Sequence, residues 1–215
     1  MDVLVIGATG GSGRAVCNEL LARGHRVTAL ARHASTLAPR PGLTTIDGDA
    51  TDTDVLDRVM PGHGAVVVTL GISESPLRVR LRGARTTTDD VRSRGTTAIV
   101  AAAGRAGIRR VVVQSSYGVG ETRRLLTVMD RLFFAVLIGP QMADTAVQED
   151  VLRGSGLDWT IVQPVYLSDD DSVEHFVSTD GSRRGRKVSR NGVARVHADL
   201  VEQGSMVGRT VSVSG

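Results

Sequence analysis

The sequence predicts a doubly wound α/β fold, a parallel sheet with helices on both faces, on three observations. Short β-branched runs alternate with helical segments over the first three-quarters of the chain. The first run, residues 3–6, is apolar without interruption, as a central strand buried on both faces requires. A glycine-rich string, Gly7-Ala8-Thr9-Gly10-Gly11-Ser12-Gly13, joins that run to the first helical segment. Alternation at this rhythm implies parallel strands with right-handed crossovers.

After the strand at 3–6, residues 13–23 form a helix. Ala15, Val16, Leu20 and Leu21 fall at helical spacing, and Gly24 ends it. Residues 26–31, 43–46 and 65–70 are the next three strands. Between the last two, Thr51 or Asp52 caps a short helix through Met60, stopped by Pro61-Gly62. A long helix over 86–105 precedes a strand at 109–114, and a helix over 143–153 precedes a sixth strand at 158–162. The last fifty residues change character. A polar loop at 168–172 and a basic one at 182–187 lead to a helix capped by Asn191 and running to about Gln203. A final strand covers 209–213. The chain reads as one domain, 1–215, with 165–215 forming a small C-terminal lobe on the substrate side.

Composition agrees with one globular domain: 215 residues, 41% hydrophobic and 23% charged. Cys17 is the one cysteine, so neither an intrachain disulfide nor a Cys-rich zinc site is available. It lies inside the first helix with no basic neighbour in sequence and reads as a buried small hydrophobe. The five histidines (His25, His33, His63, His175, His197) show no metal spacing, and no metal site is expected. Net charge is +3, a weak field, and Lys187 is the one lysine; a nucleic-acid partner is not expected. The longest apolar stretch, 132–138, is too short to span a bilayer, and Met1-Asp2 leads straight into the first strand without a signal-type segment. A cytoplasmic protein with a small-molecule substrate and no membrane partner is expected, as a monomer or a homodimer.

The glycine string carries the chemistry. A pyrophosphate needs a tight turn, backbone amides free to face it and no Cβ in the way. Gly7, Gly10 and Gly13 supply these, with Thr9, Gly11 and Ser12 on the same turn and the first helix's N-terminus adding positive potential. Strand, turn, helix and second strand fall within about thirty residues, the context that gives such a string meaning. An NAD site places an acid at the end of the second strand; here that strand ends in Arg32, with His33 next. Arginine's planar fork suits a 2′-phosphate, Arg14 offers a second positive charge, and NADP(H) is expected over NAD(H). Asp49-Ala50, beyond the third strand, has two readings: an acceptor for the adenine amino group, or a helix-cap carboxylate. Thr69-Leu70-Gly71 ends the fourth strand, where chain beside the ribose and nicotinamide must be small or flexible.

These residues resemble the atypical short-chain dehydrogenase/reductase group, the NmrA-like and NAD(P)H-binding proteins, most of all the flavin reductase/biliverdin-IXβ reductase type. The resemblance covers residues 1 to about 167. It rests on Gly7-Ala-Thr-Gly-x-x-Gly13, Val27-Thr-Ala-Leu-Ala-Arg32, Gly48-Asp49, Val111-Val-Val-Gln-Ser115-Ser116 and the segment from Val151 through Leu157 to Gln163-Pro164. It implies an NADP-binding, Rossmann-like core with the nicotinamide near Ser115, Ser116 and Pro164. The implied functions run from hydride transfer to flavins, quinones and enones to redox sensing without catalysis.

One departure bears on mechanism. Ketone-reducing short-chain dehydrogenases carry Tyr-x-x-x-Lys, the lysine lowering the tyrosine's pKa so that it donates a proton. Here Glu121 stands four residues after Tyr117, and a phenol beside a carboxylate is a weaker acid. Hydride transfer itself needs contact between donor and acceptor and exclusion of water. Ser116 matches the family's active-site serine, and Tyr117 at the same strand end is a candidate to orient the substrate or donate; the bland readings are a turn cap and a surface residue. Tyr166 is a stacking candidate for a flat ring, or a core residue. Asp144, Glu149 and Asp150 read first as helix-dipole partners or solvated acids.

The expectation is an NADPH-dependent oxidoreductase transferring hydride to a flavin, quinone or related aromatic carbonyl compound. Family analogy includes tailoring enzymes of secondary metabolism. The alternative is an NADP(H)-binding redox sensor without catalysis, which the absent Tyr-Lys pair and the basic 183–187 loop both suit. A third is an isomerase, lyase or epimerase on the same fold. An aromatic-lined crevice at Ser116, Tyr117 and Tyr166 favours an enzyme; a flat apolar patch favours the sensor.

Overall fold

The computed structural model describes residues 1–71, 90–131 and 139–215. The first four residues of the expected 86–105 helix and the apolar stretch at 132–138 lie outside these.

The elements follow the expected alternation. β1 (Asp2–Ile6), α1 (Gly11–Ala22), β2 (Arg26–Ala31), β3 (Leu43–Asp47), α2 (Thr53–Val59) and β4 (Ala65–Val68) form the first half. α3 (Val91–Ala106), β5 (Arg110–Gln114), α4 (Gly139–Arg153) and β6 (Asp158–Pro164) follow. The last part holds β7 (Tyr166–Ser168), β8 (Phe176–Ser178), β9 (Lys187–Ser189), α5 (Arg190–Gln203) and β10 (Arg209–Ser214). The main sheet has eight strands in the order β3-β2-β1-β4-β5-β6-β10-β8. Every pairing is parallel except β10 with β8.

β1 shows why the apolar run had to be continuous. Val3 and Val5 face the layer of α1 and α5, while Leu4 and Ile6 face that of α2, α3 and α4, and all four are buried. A strand with helices on both sides has no face left for polar residues. α1 packs on α5 and α3 on α4 across the two faces.

Two caps resolve sequence alternatives. Asp52, not Thr51, caps α2, accepting from Asp54 N at 2.9 Å and Val55 N at 3.2 Å. α5 is capped by Ser189 rather than Asn191: its Oγ accepts from Gly192 N at 2.9 Å, two residues before the expected cap. Both residue types suit the position, and register is decided by β9, which runs directly into the helix.

The last fifty residues are shared between two sheets. β10 adds to the main sheet beside β6 and carries β8 on its outer edge, whereas β7 and β9 pair parallel in a small separate sheet. Tyr166 and Leu167 therefore leave β6 and turn over the end of the main sheet.

His197, on the inner face of α5, is fully buried, and neither ring nitrogen has a hydrogen-bond partner among the described residues. Burial pushes its pKa down to about 3, so the ring is neutral in the fold. In the unfolded chain it protonates near pH 6.5, so the unfolded state binds the extra proton between pH 6.5 and 3 and stability falls with pH across that window. The slope contributed approaches about 1.4 kcal/mol per pH unit. His197→Leu is expected to be more stable at neutral pH by about 1–3 kcal/mol, since two unsatisfied buried groups disappear. It should also flatten the acid limb; urea unfolding at pH 7.5 and 5.5 reads both.

Candidate active site

The strand order reverses between β1 and β4. In open α/β sheets, ligands bind in the crevice beyond the strand ends at such a switch point. Ile6 is followed there by Gly7 and Val68 by Thr69. The two ends are knitted together: Thr69 N donates to Ile6 O at 2.8 Å and Thr69 Oγ1 to the same carbonyl at 3.1 Å.

The glycine turn is built as an anion cradle. Gly7 has φ +87°, and a Cβ on it would lie 2.7 Å from Thr69 O, so only glycine fits. Gly13 lies under the turn, where a Cβ would come within 2.3 Å of Gly7 O. Gly10 caps α1 without a side chain, and no acid stands in the helix's first turn. The free amide end of α1 is therefore left for an anionic ligand. A cleft of about 510 Å³ opens over this turn. Its walls include Gly7, Thr9, Gly10, Gly11, Ser12, Arg32, Asp49, Ala50, Leu70 and Gly71, ten of the residues picked out from sequence. Arg32 sits exposed at the end of β2. Asp49 Oδ1 accepts from Thr51 N and Thr51 Oγ1, both at 2.8 Å, which lowers its pKa and makes it an Asx turn rather than the helix cap. Arg14 differs from expectation: Nε donates to Thr9 O at 2.9 Å, and the residue is not in the cleft wall.

A second cavity, about 340 Å³, adjoins the first beyond β5 and β6. Ser115, Ser116, Tyr117, Pro164 and Tyr166 all line it. The two cavities share Leu70, Arg92, Gln114, Leu167 and Arg190. Tyr166 is 38% exposed, so its core reading is set aside. Tyr117 is buried, not on the surface, and its hydroxyl donates to Gly181 O at 2.9 Å. Burial raises its pKa against the lowering effect of Arg183, and the acid that adds to the rise is Asp130 rather than Glu121, which is exposed. That hydroxyl is engaged by the fold. The Ser115 hydroxyl is likewise turned away, donating to Glu149 Oε1, so Ser115 holds the strand end rather than offering a donor to the cofactor. Ser116 is half-buried on the cavity wall.

The acids of α4 are structural, though not as the sequence suggested. Asp144 reaches across to α3, accepting from Arg92 N at 3.0 Å and Ser93 N at 3.1 Å, a cap supplied by a different helix. Glu149 accepts from Gln163 Nε2 at 2.7 Å and pairs with Arg153 at 2.8 Å. Cys17 is buried, which pushes its thiol up to about 12. The basic 183–187 loop is pinned: Arg186 pairs with Asp130 at 2.8 Å, and Arg183 lies 5.3 Å from the Tyr117 ring centre. Among the described residues no cluster of metal-ligating side chains occurs, and no helix is long and apolar enough to cross a membrane.

Sequence reasoning missed three residues. Gln114 ends β5 between the cavities, its Nε2 donating to Ser12 Oγ at 3.0 Å while its buried Oε1 has no partner. A polar residue closing an apolar strand at the ligand end was the available signal. Arg190 lies on Gly11, whose Cβ would stand 2.7 Å from Arg190 Nε, and is held by an ion pair with Asp169. Arg92 is the third. The last two carry no local signal.

The family profile described as NAD(P)H-binding matches residues 7–204. The chain belongs to this family. A 3β-hydroxysteroid dehydrogenase/Δ5→4-isomerase of Mycobacterium tuberculosis is 36% identical over 124 residues, 54% of this chain and 32% of that protein. A 3-diazoavenalumate denitrifying reductase of a Streptomyces species is 41% identical over 116 residues, 54% of this chain and 38% of that one. The chain thus spans about a third of the length of these relatives. Among solved structures, a short-chain dehydrogenase/reductase of Veillonella parvula in complex with NADP superposes with TM-score 0.82, at 20% identity, covering 100% of this chain and 94% of that one. An anaerobillin reductase of Escherichia coli O157:H7 gives 0.81 at 23% identity, covering 100% and 97%. The fold of this NAD(P)H-binding chain is therefore Rossmann-like, and its glycine cradle, uncapped α1 and adjoining cleft fit a dinucleotide.

Proposed function

We infer that the chain is an NADPH-dependent oxidoreductase acting on a flavin, quinone or related aromatic carbonyl compound. The observation that supports this best is the adjoining of the two cavities: the dinucleotide cleft runs into a second cavity walled by Tyr117, Tyr166, Leu126 and Met142. A sensor needs no such space, and the basic loop that would suit a partner surface is tied to Asp130.

When bound, the nicotinamide supplies a hydride. The chain's residues do the rest by holding and excluding. The turn amides of Gly11 and Ser12 and the Arg190 guanidinium hold the pyrophosphate, Arg32 takes the 2′-phosphate, and Leu70, Gly71 and Pro164 leave room at the junction. Ser116 hydrogen-bonds the nicotinamide amide or the acceptor's carbonyl. With Tyr117 committed to Gly181, the proton that follows hydride onto a flavin or quinone comes from water.

The test is NADPH oxidation, followed at the reduced-nicotinamide absorbance, against FMN, FAD and several quinones with NADH as control. Turnover confined to NADPH supports the reading; tight binding without turnover across the panel favours the sensor. Removing a charge-assisted contact costs about 1.5–3 kcal/mol. Arg32→Ala should therefore raise KM for NADPH by roughly 10- to 100-fold while moving that for NADH by less than about threefold.

A further inference from the structure

The two cavities meet at a guanidinium without an acid. Arg92 opens α3 and lines both cavities. Its Nη1 donates to a neutral group, Thr145 Oγ1, at 3.1 Å, and among the described residues no carboxylate lies within 4.0 Å of it. Asp144, whose charge it feels, spends its oxygens on the α3 amides and on Ser93 Oγ at 2.5 Å. The other arginines of the second cavity are engaged elsewhere: Arg183 has Asp130 at 3.7 Å, and Arg190 lies against Gly11 of the glycine turn. Gly71 leaves the guanidinium its place, since a Cβ there would stand 3.1 Å from Arg92 Nη2. Beside it, the buried Gln114 Oε1 is an acceptor without a donor.

A half-buried cation with no carboxylate in reach is a ready site for a counter-charge, and a guanidinium with unused N–H groups grips a carboxylate through two parallel bonds. The dinucleotide does not need this group, because its phosphates are provided for in the first cavity by the turn amides, Arg190 and Arg32. Apolar side chains, Tyr117, Leu126, Met142, Val165 and Tyr166, make up part of the second cavity's lining, and its own acid, Asp130, is engaged by Arg183 and Arg186. We propose that Arg92 binds a carboxylate of the acceptor, so that the substrate is a flat, conjugated carbonyl compound carrying an acid group. This rests on the reading of the second cavity as the acceptor site.

The test is isothermal titration of the NADP⁺-saturated protein with 2-naphthoate and its uncharged amide, 2-naphthamide. Wild type should bind the acid about tenfold more tightly or better. Arg92→Gln should bring the two within about twofold, with the Kd for NADP⁺ moving less than about threefold; Arg92→Lys, a point charge without the fork, should keep part of the preference. Arg92→Lys also carries the test if Arg92→Gln does not fold. The proposal is overturned if wild type does not discriminate or binds neither probe, or if Arg92→Gln keeps the preference. It is equally overturned if Arg92→Gln weakens NADP⁺ tenfold, which would assign the guanidinium to a cofactor phosphate. Failure of NADP⁺ itself to bind wild type would instead remove the functional reading above, and the acid-over-amide comparison would still be read on the protein alone.

Discussion

Gly13→Ala is expected to weaken dinucleotide binding by about 100-fold and to lower the melting temperature by several degrees. The added Cβ would stand 2.3 Å from Gly7 O and 2.8 Å from Ala8 Cα. Both are backbone atoms, so no rotamer relieves the overlap; either the turn lifts or α1 slides. Overpacking of this kind costs about 1–3 kcal/mol, and a domain of this size loses roughly 2–4 °C per kcal/mol. Binding suffers more than stability, because the amides that face the pyrophosphate are the atoms displaced. Misplacing such groups by about 1 Å is worth about 100-fold. Fluorescence titration with NADPH and a thermal melt check the two parts separately. Gly104→Ala is the control: it lies exposed in α3 with nothing within 4 Å of a Cβ, and should gain up to about 1 kcal/mol from helix propensity.

Glu149→Ala is expected to be the most destabilising single change in the site, by about 3–5 kcal/mol. The carboxylate is 1% exposed and gathers three elements at the C-terminal ends of β5 and β6. It takes the Ser115 hydroxyl after β5, Gln163 Nε2 from β6 at 2.7 Å, and Arg153 from its own helix. Gln163 carries the network on, its Oε1 accepting from Thr122 Oγ1 at 2.9 Å. Truncation leaves the buried Ser115 hydroxyl without an acceptor, leaves Gln163 Nε2 with Val119 O as its one remaining acceptor, and strips Arg153 of its buried partner. Glu149→Gln, which keeps an acceptor oxygen, should recover part of the loss. Urea unfolding of the three proteins gives the ordering. Turnover should fall with stability, since the strand end that carries Ser116 is held by this carboxylate.

The sequence made the dinucleotide half of the site legible because its signals are local. The apolar run of β1, the glycine string and Arg32 at the end of β2 each declare themselves within a few neighbouring residues. The rest of the two cavities is not local. Arg190 reaches Gly11 only because α5 packs on α1, and nothing near either residue in sequence announces it. Asp144 caps a helix some fifty positions away, so its own position in α4 misdirects the reader toward a dipole partner. Tyr117 and Ser115 were found, but their hydroxyl partners, Gly181 and Glu149, come from elsewhere in the chain and change what each can do. β7, β8 and β9 are three residues each, too short for a period-two pattern to show, and they are what bring Tyr166 and Arg183 to the second cavity. The sequence does not give the conformations of 71–85 and 117–141, and of these 72–85 and 132–138 lie outside the described residues.

We propose that the two cavities form one site, with the dinucleotide laid across the glycine turn and its nicotinamide at the junction. A crystal structure with NADP⁺ is the test. The pyrophosphate is expected on the amides of Gly11 and Ser12, the 2′-phosphate at Arg32, and the nicotinamide beside Gln114 and Ser116 with one face open to Tyr117 and Tyr166. A dinucleotide bound in the reverse sense, or one whose nicotinamide lies outside the second cavity, would contradict it.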